Sequence, residues 1–213
     1  MNPLRQLECA IVKGNIKKAT AMAEKCLETG YPPRVIIDQG VLKAMEEVGK
    51  KWKVYEYFIP NVLVSAMATK LCLNILRPLL KVPGSRFIGK AVAGTVEGDI
   101  HDIGKNIVIM FMEAAGFEVI DLGVDVAPGS FIKAVKKEKA NLLILSCLYT
   151  VNMKAMEDTV IALGKTGLKG KVKTLIGGAP ITQGFATSIG ADGYGRDALE
   201  GVRKARELIH AGK

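Results

Sequence analysis

The chain has 213 residues, 49% of them hydrophobic, and a formal net charge of +9 at pH 7. That size and apolar content suit one large or two small domains with true cores, and no apolar run reaches ~20 residues without a charge, which argues against a membrane-spanning helix. The lysines are scattered (Lys17-Lys18, Lys50-Lys51, Lys136-Lys137, Lys169, Lys171, Lys173) and aromatics make up only 6%, so the charge reads as a solvated face or a docking surface for an acidic protein rather than a nucleic-acid site.

The start, Met1-Asn2-Pro3-Leu4-Arg5-Gln6-Leu7-Glu8, lacks the apolar core and cleavage pattern of a signal peptide, so a cytoplasmic chain is expected. Residues 3–82 read as helical throughout. Leu4, Leu7, Ala10 and Ile11 recur at helical spacing until Gly14-Asn15. A second helix carries Ala19, Ala23 and Leu27 on one stripe and ends at Gly30. Pro32-Pro33 opens a third, which Gly49 is expected to close. A fourth starts near Tyr57 or Pro60, carries Val62, Leu63, Ala66, Met67 and Leu71, and ends around Pro78. Four amphipathic segments with short connections predict an antiparallel bundle. Met67, beside the small residues Ala66, Ala68 and Thr69, suits either the bundle core or a soft surface for a flat apolar ligand.

Residues 83–89, with Pro83, Gly84, Ser85 and Gly89, read as a linker between a domain over 1–82 and another over 90–213. Beyond the linker the period changes. Strands are predicted at 90–96, 118–122, 141–148, 172–176 and 191–193, and helices at 105–115, 128–138, 152–163 and 198–209. Apolar strands alternating with amphipathic helices predict an α/β domain, a parallel sheet covered on both faces with right-handed crossovers.

Three loops leave the carboxyl ends of these strands: Glu97–Gly104, Ser146–Asn152 and Gly177-Gly178-Ala179-Pro180-Ile181. If the strand order reverses in the middle of the sheet, they converge on one crevice. His101, one of two histidines, sits in the first loop between Asp99 and Asp102. It suits a metal ligand whose second ring nitrogen is held by a carboxylate, or a surface histidine near a helix start with Asp99 or Asp102 as cap. No Walker glycine-lysine motif, GxGxxG or GxSxG is present, which argues against a kinase, a dinucleotide enzyme and a serine hydrolase. Cys9, Cys26, Cys72 and Cys147 form no CxxC and sit among apolar residues, as buried reduced thiols do; His210 lies in a polar tail.

The words Gly94-Thr95-Val96-x-Gly98-Asp99-x-His101-Asp102-Ile103-Gly104-Lys105-Asn106, Asp121-Leu122-Gly123-x-Asp125-Val126, Ser146-x-Leu148 and Gly177-Gly178-Ala179-Pro180 together resemble the base-off, histidine-on cobalamin-binding domains. The helical front, with Glu56-x-Phe58-Ile59-Pro60, is similar to the cap bundle before that domain in methionine synthase, and the layout resembles the small corrinoid proteins of methyltransferase systems. The resemblance implies a four-helix cap followed by a Rossmann-like, flavodoxin-like five-stranded sheet. It implies His101 as the lower axial ligand of cobalt in cobalamin or methylcobalamin, and Asp99 as acceptor for its other nitrogen. Asp102, Ile103 and Leu148 are expected at the cofactor, and Ser146 on the nucleotide loop. Gly104, Gly177 and Gly178 are expected along the slot for the displaced nucleotide tail, and Met67 in the cap over the upper face.

As function it implies a methyl carrier, itself without catalytic residues. The carrier takes a methyl group onto Co(I) from a substrate-specific methyltransferase and yields it to a second methyltransferase acting on a thiol or folate, with a corrinoid reductive activase as a further partner. A cobalamin-binding sensor is the alternative; it shares cap and fold but carries an output domain, for which a first helix starting near residue 4 leaves no room. Three features depart from the family, one being the turn after Trp52, Lys53-Val54-Tyr55-Glu56, where relatives usually have a glycine before the glutamate. The loop after Ser146 reads Cys147-Leu148-Tyr149-Thr150-Val151-Asn152-Met153 where relatives have Ala-Leu-Leu-Thr-Thr-x-Met, and the chain is basic where relatives are commonly acidic.

Overall fold

The structure, a computed structural model, describes residues 2–80 and 87–210. The expected linker at 83–89 lies mostly outside the described residues. The chain divides into two compact units, one holding the helices before residue 81 together with Glu113–Ala115, the other the remainder from Phe87.

In the first unit, α1 (Pro3–Val12) and α2 (Ile16–Glu28) are each opened by an asparagine, Asn2 and Asn15, whose side chains accept from backbone amides of the first turn. Pro33 starts α3 (Pro33–Ile36), which passes through a π-helical stretch, Ile37–Leu42, into α4 (Lys43–Lys53); α5 spans Ile59–Leu80. Leu7, Ile11, Ile36, Val48, Ala66 and Leu76 are fully buried between these helices. The Tyr57 and Ser65 hydroxyls both donate to the Val12 carbonyl, closing the end of α1.

One expectation is corrected here, and one choice between alternatives is decided. Gly49 does not close the third helix, which continues to Lys53; the stop is made by Tyr55 in the left-handed region, φ 57°, with the Glu56 and Tyr57 amides folded back onto the Lys51 carbonyl. Met67 is 55% exposed and therefore not a core residue. With Leu63 and Leu71, one turn away on either side, it forms an open apolar stripe on α5.

The second unit is a five-stranded parallel sheet of order β2-β1-β3-β4-β5. Its strands are β1 (Lys90–Thr95), β2 (Glu118–Asp121), β3 (Leu142–Ser146), β4 (Lys173–Gly177) and β5 (Gly193–Gly195). The helices are α6 (Ile103–Ala114), α7 (Pro128–Glu138), α8 (Met153–Gly164), α9 (Gln183–Ile189) and α10 (Ala198–His210). Val92, Leu142, Leu143 and Leu145 are buried in the central strands, and Phe131 and Met156 cover them from α7 and α8. The last strand starts two residues later than expected, and α9 was not expected at all. Among the described residues no helix is long and apolar enough to cross a membrane.

The strand order reverses between β1 and β3. Register places Thr95, the last residue of β1, beside Ser146, the last of β3, and Ser146 beside Gly177, the last of β4. The three unusual loops therefore leave the sheet side by side at its switch point, where open α/β sheets bind ligands.

Candidate cofactor site

The loop after β1 is tied on both sides. The Val96 amide donates to the Ser146 carbonyl on β3, 3.1 Å, continuing the ladder one step past the strand. On the other side, the Gly98 amide donates to the Asp125 carboxylate, 2.7 Å, and the Asp125 amide donates to the Asp99 carbonyl, 2.9 Å. Gly98 turns the chain with φ +81°, and a Cβ there would overlap the Asn152 side-chain amide. The Thr95 hydroxyl donates to the His101 carbonyl, 2.8 Å, and so holds the far end of the loop onto the strand.

His101 and Asp99 form a close pair. The ring Nδ1 lies 2.7 Å from Asp99 Oδ1, and the His101 amide donates to the same oxygen at 3.0 Å. The other oxygen, Oδ2, accepts the Leu148 amide at 2.5 Å. A carboxylate only accepts, so Nδ1 carries a proton, and in the neutral ring Nε2 is the nitrogen with the lone pair. Asp99 is completely buried, while the imidazole is 36% exposed. Burial alone would raise the Asp99 carboxyl. The amides of Leu148 and His101, the imidazole and the Tyr149 amide outweigh it and hold the carboxyl below the ordinary range. The result is a buried, fixed acceptor that stays ionised at neutral pH behind a half-open imidazole.

Of the residues expected at the site, Leu148 contributes its backbone to Asp99 while its side chain is 39% exposed at the rim. Ile103 is exposed at the start of α6, next to an exposed Gly104 around which an added Cβ would meet no protein atom. Ser146 is half-buried, and its hydroxyl makes no hydrogen bond among the described residues. Gly178 has φ +131°, and a Cβ there would overlap the Cys147 carbonyl; at Gly177 it would stand 2.9 Å from the Gly195 carbonyl. The two glycines thus let the neighbouring backbone pack closely against the end of β4. Asp102 is exposed and bonded to the Asn106 amide group rather than to His101. Met67 belongs to the other unit.

Four residues act here in ways the sequence did not suggest. Thr95 and Asp125 hold the loop, as above. Tyr149 sets its ring edge-on to the imidazole, with centroids 4.5 Å apart and planes at 84°. Asn152 donates to the Glu97 carbonyl, 3.2 Å. Cys147, expected as an inert thiol, is buried and its pKa pushed up to about 11, chiefly by burial and then by the Asp99 charge.

The donor set fits a metal that arrives with most of its ligands. Among the described residues no three His, Cys, Asp or Glu side chains converge to hold a bare ion, whereas a single imidazole with an unprotonated Nε2 suits one open axial position. Ile100 and Val151 are 72% and 81% exposed, and with Ile103 and Leu148 they give the loops an apolar rim suited to a flat macrocycle.

Comparison with known proteins agrees with this geometry. Residues 89–203 match the B12 binding domain, and residues 3–77 match a second model of the same description that covers the helical part. A dimethylamine corrinoid protein of Methanosarcina acetivorans is 37% identical over 97% of this chain and 96% of its own. A trimethylamine corrinoid protein of the same organism is 38% identical over 94% and 93%. Among solved structures, the methanol:cobalamin methyltransferase complex of Methanosarcina barkeri superposes with a TM-score of 0.81 and 29% identity, covering 98% of this chain and 80% of that one. Helical front, switch-point histidine and near-full-length likeness point one way: the chain belongs to the B12-binding corrinoid proteins related to those of methylamine and methanol methyltransferase systems.

Proposed function

We propose that the chain is a corrinoid methyl carrier that holds cobalamin base-off, with His101 Nε2 as the lower axial ligand of cobalt. The observation that carries the ligand assignment is the buried Asp99 carboxylate bonded to Nδ1, which leaves Nε2 as the donor. The chain is a carrier and not an enzyme, as its corrinoid-protein relatives are. Corrin-bound cobalt supplies the reactivity, taking up and giving up a methyl group as no side chain here can.

The protein's own work is positional. Asp99 keeps the Nδ1 proton in place and with it the tautomer and direction of the ring. Its acceptor strength tunes the basicity of Nε2, so ligand strength answers to any proton gained or lost by the pair. Ser146 offers a hydroxyl without a hydrogen-bond partner among the described residues for the displaced nucleotide tail, and Gly177 and Gly178 let the neighbouring backbone of Gly195 and Cys147 pack closely beside them. Ile100, Ile103 and Leu148 face the macrocycle, and Gly104 lets it approach the start of α6. Asp102 steadies the first turn of α6 through Asn106. Met67, Leu63 and Leu71 are exposed apolar surface that the helical unit offers.

The partners that this reading requires are a substrate-specific methyltransferase, a second one delivering to a thiol or folate, and a reductive activase. The complex of the methanol relative supports the first. Methylated amines are the first donors to test, since the amine corrinoid proteins are among the relatives. Four free cysteines without a disulfide support residence in the reducing cytoplasm.

The test is reconstitution with hydroxocobalamin. Wild-type protein is expected to retain one corrinoid per chain through desalting, and His101→Ala to show a water-ligated spectrum. Loss of the colour on desalting, or an unchanged spectrum in the variant, would overturn the assignment. Methyl transfer to or from a methylamine methyltransferase then separates a carrier from a sensor, which binds without passing the group on.

A further inference from the structure

We infer that Tyr149 is a positioning residue for His101: its ring closes the side of the imidazole that Asp99 leaves free and holds Nε2 in the direction a ligand must take. The inference rests on the reading of His101 as axial ligand, and it extends that reading to a residue that departs from the relatives' loop.

Asp99 grips the imidazole at one point, Nδ1. A single hydrogen bond fixes a distance but leaves the ring free to swing about the bond axis. Tyr149 removes that freedom. With centroids 4.5 Å apart and planes at 84°, the two rings make an edge-to-face pair, the favoured geometry for aromatic side chains.

Tyr149 is itself anchored by its backbone. Its carbonyl accepts from Cys147 Sγ at 3.1 Å and from the Asn152 amide at 3.0 Å, which starts the 3₁₀ turn Thr150–Asn152. The Asn152 side chain then reaches across to the Glu97 carbonyl. The loop after β3 therefore touches the loop after β1 at the carboxylate, at the imidazole and at the backbone before Gly98. A leucine at 149 would preserve the backbone links but not the ring pair.

The position is also well placed for ligand work. The Tyr149 side chain is 53% exposed, so it is not a core residue, and its replacement removes no buried support. What it contributes is the orientation of one neighbour.

The experiment uses the full chain in two states. In the apoprotein, cross-relaxation between the His101 and Tyr149 ring protons reports the pair directly. In protein loaded with cob(II)alamin, electron paramagnetic resonance separates nitrogen-ligated from water-ligated cobalt by the nitrogen splitting. Tyr149→Phe is expected to keep both the cross-peak and the wild-type ratio of the two forms. Tyr149→Ala is expected to lower that ratio by about two- to tenfold, the range an aromatic pair supports. Tyr149→Leu, which keeps apolar bulk and serves if the alanine variant misfolds, is expected to fall with it. A split wild-type spectrum that both Tyr149→Ala and Tyr149→Leu leave unchanged, or a wild-type apoprotein with no cross-peak, would overturn the inference alone. A wild-type spectrum without nitrogen splitting would overturn the ligand reading, and the inference with it.

Discussion

Replacing Asp99 with asparagine tests the centre of the site with the smallest change in shape. The wild-type carboxylate is fully buried and meets donors only: the Leu148 amide on one oxygen, and the His101 amide and Nδ1 on the other. Asparagine has one acceptor and one donor in their place. Whichever way it turns, its NH2 faces an N–H, and at least one buried donor loses its partner. That loss costs about 1–3 kcal/mol. In a chain of this size each kcal/mol lowers the melting temperature by about 2–4 °C, so Asp99→Asn is expected to melt about 2–12 °C lower. Asp102→Asn, on an exposed carboxylate in the same loop, is expected within about 0.5 kcal/mol of wild type. The effect has a pH signature. The folded state holds the Asp99 pKa below its ordinary 3.8, so the folded protein resists protonation more than the unfolded chain does. The resulting stability is complete above that value and is lost as pH falls through the folded pKa, so the gap between wild type and Asp99→Asn narrows in strong acid and not in base. Chemical or thermal melts of the apoprotein at neutral pH and below pH 4 measure both. Equal melting of Asp99→Asn and Asp102→Asn at neutral pH would refute the buried-acceptor account.

Three other outcomes are expected. Gly178→Ala puts a methyl group into the Cys147 carbonyl at a backbone angle that L residues rarely adopt, so it should cost about 1–3 kcal/mol from strain alone; a wild-type melting curve would contradict the close approach. Thr69→Val removes a buried hydroxyl that has no hydrogen-bond partner among the described residues, so it should be neutral or stabilising by about 1 kcal/mol, measured by denaturant midpoint, and a marked loss would show a hidden partner. Thiol titration of folded apoprotein at pH 8 should label Cys9 first, the one cysteine not fully buried, and spare Cys72 and Cys147, whose pKa values burial pushes up to about 12 and about 11.

How legible this was in the sequence depended on distance along the chain. The central strands were readable because β1 and β3 are buried on both faces and so appear as unbroken apolar runs. The last strand was misplaced because Ala191 and Asp192 look like its start. Asp192 instead accepts from both the amide and the hydroxyl of Thr174, a tertiary task that no periodicity reveals, and pairing begins at Gly193. The seven-residue α9 is too short to show a repeat; only its Thr182 cap and the left-handed Gly190 mark it. The π-helical stretch stands where Leu7 lies against Gly40, again a contact between distant residues. At the site, Asp99 and His101 were visible because they are two apart. The Leu148 amide, 49 residues on, and the Asp125 carboxylate, 27 residues beyond Gly98, were not.

Those distant contacts explain how this loop holds the pair. Asp99 is the point where three loops meet. Its amide donates to Val96 at the end of β1, its carbonyl accepts from Asp125 after β2, and its carboxylate accepts from Leu148 after β3. Those three strands are neighbours only because the order runs β2-β1-β3. Because β1 is flanked by both others, its loop has a support on each side, and a carboxylate on it can be fully desolvated while both of its oxygens accept hydrogen bonds. A desolvated, satisfied carboxylate is a stiff one, since moving it strands several donors at once. The imidazole inherits that stiffness through Nδ1. The position of Nδ1 is therefore set by the register of three strands as well as by the loop's own sequence. A slip of one residue in β3 would carry the Leu148 amide off Asp99 and release the histidine, with every residue of the His101 loop unchanged.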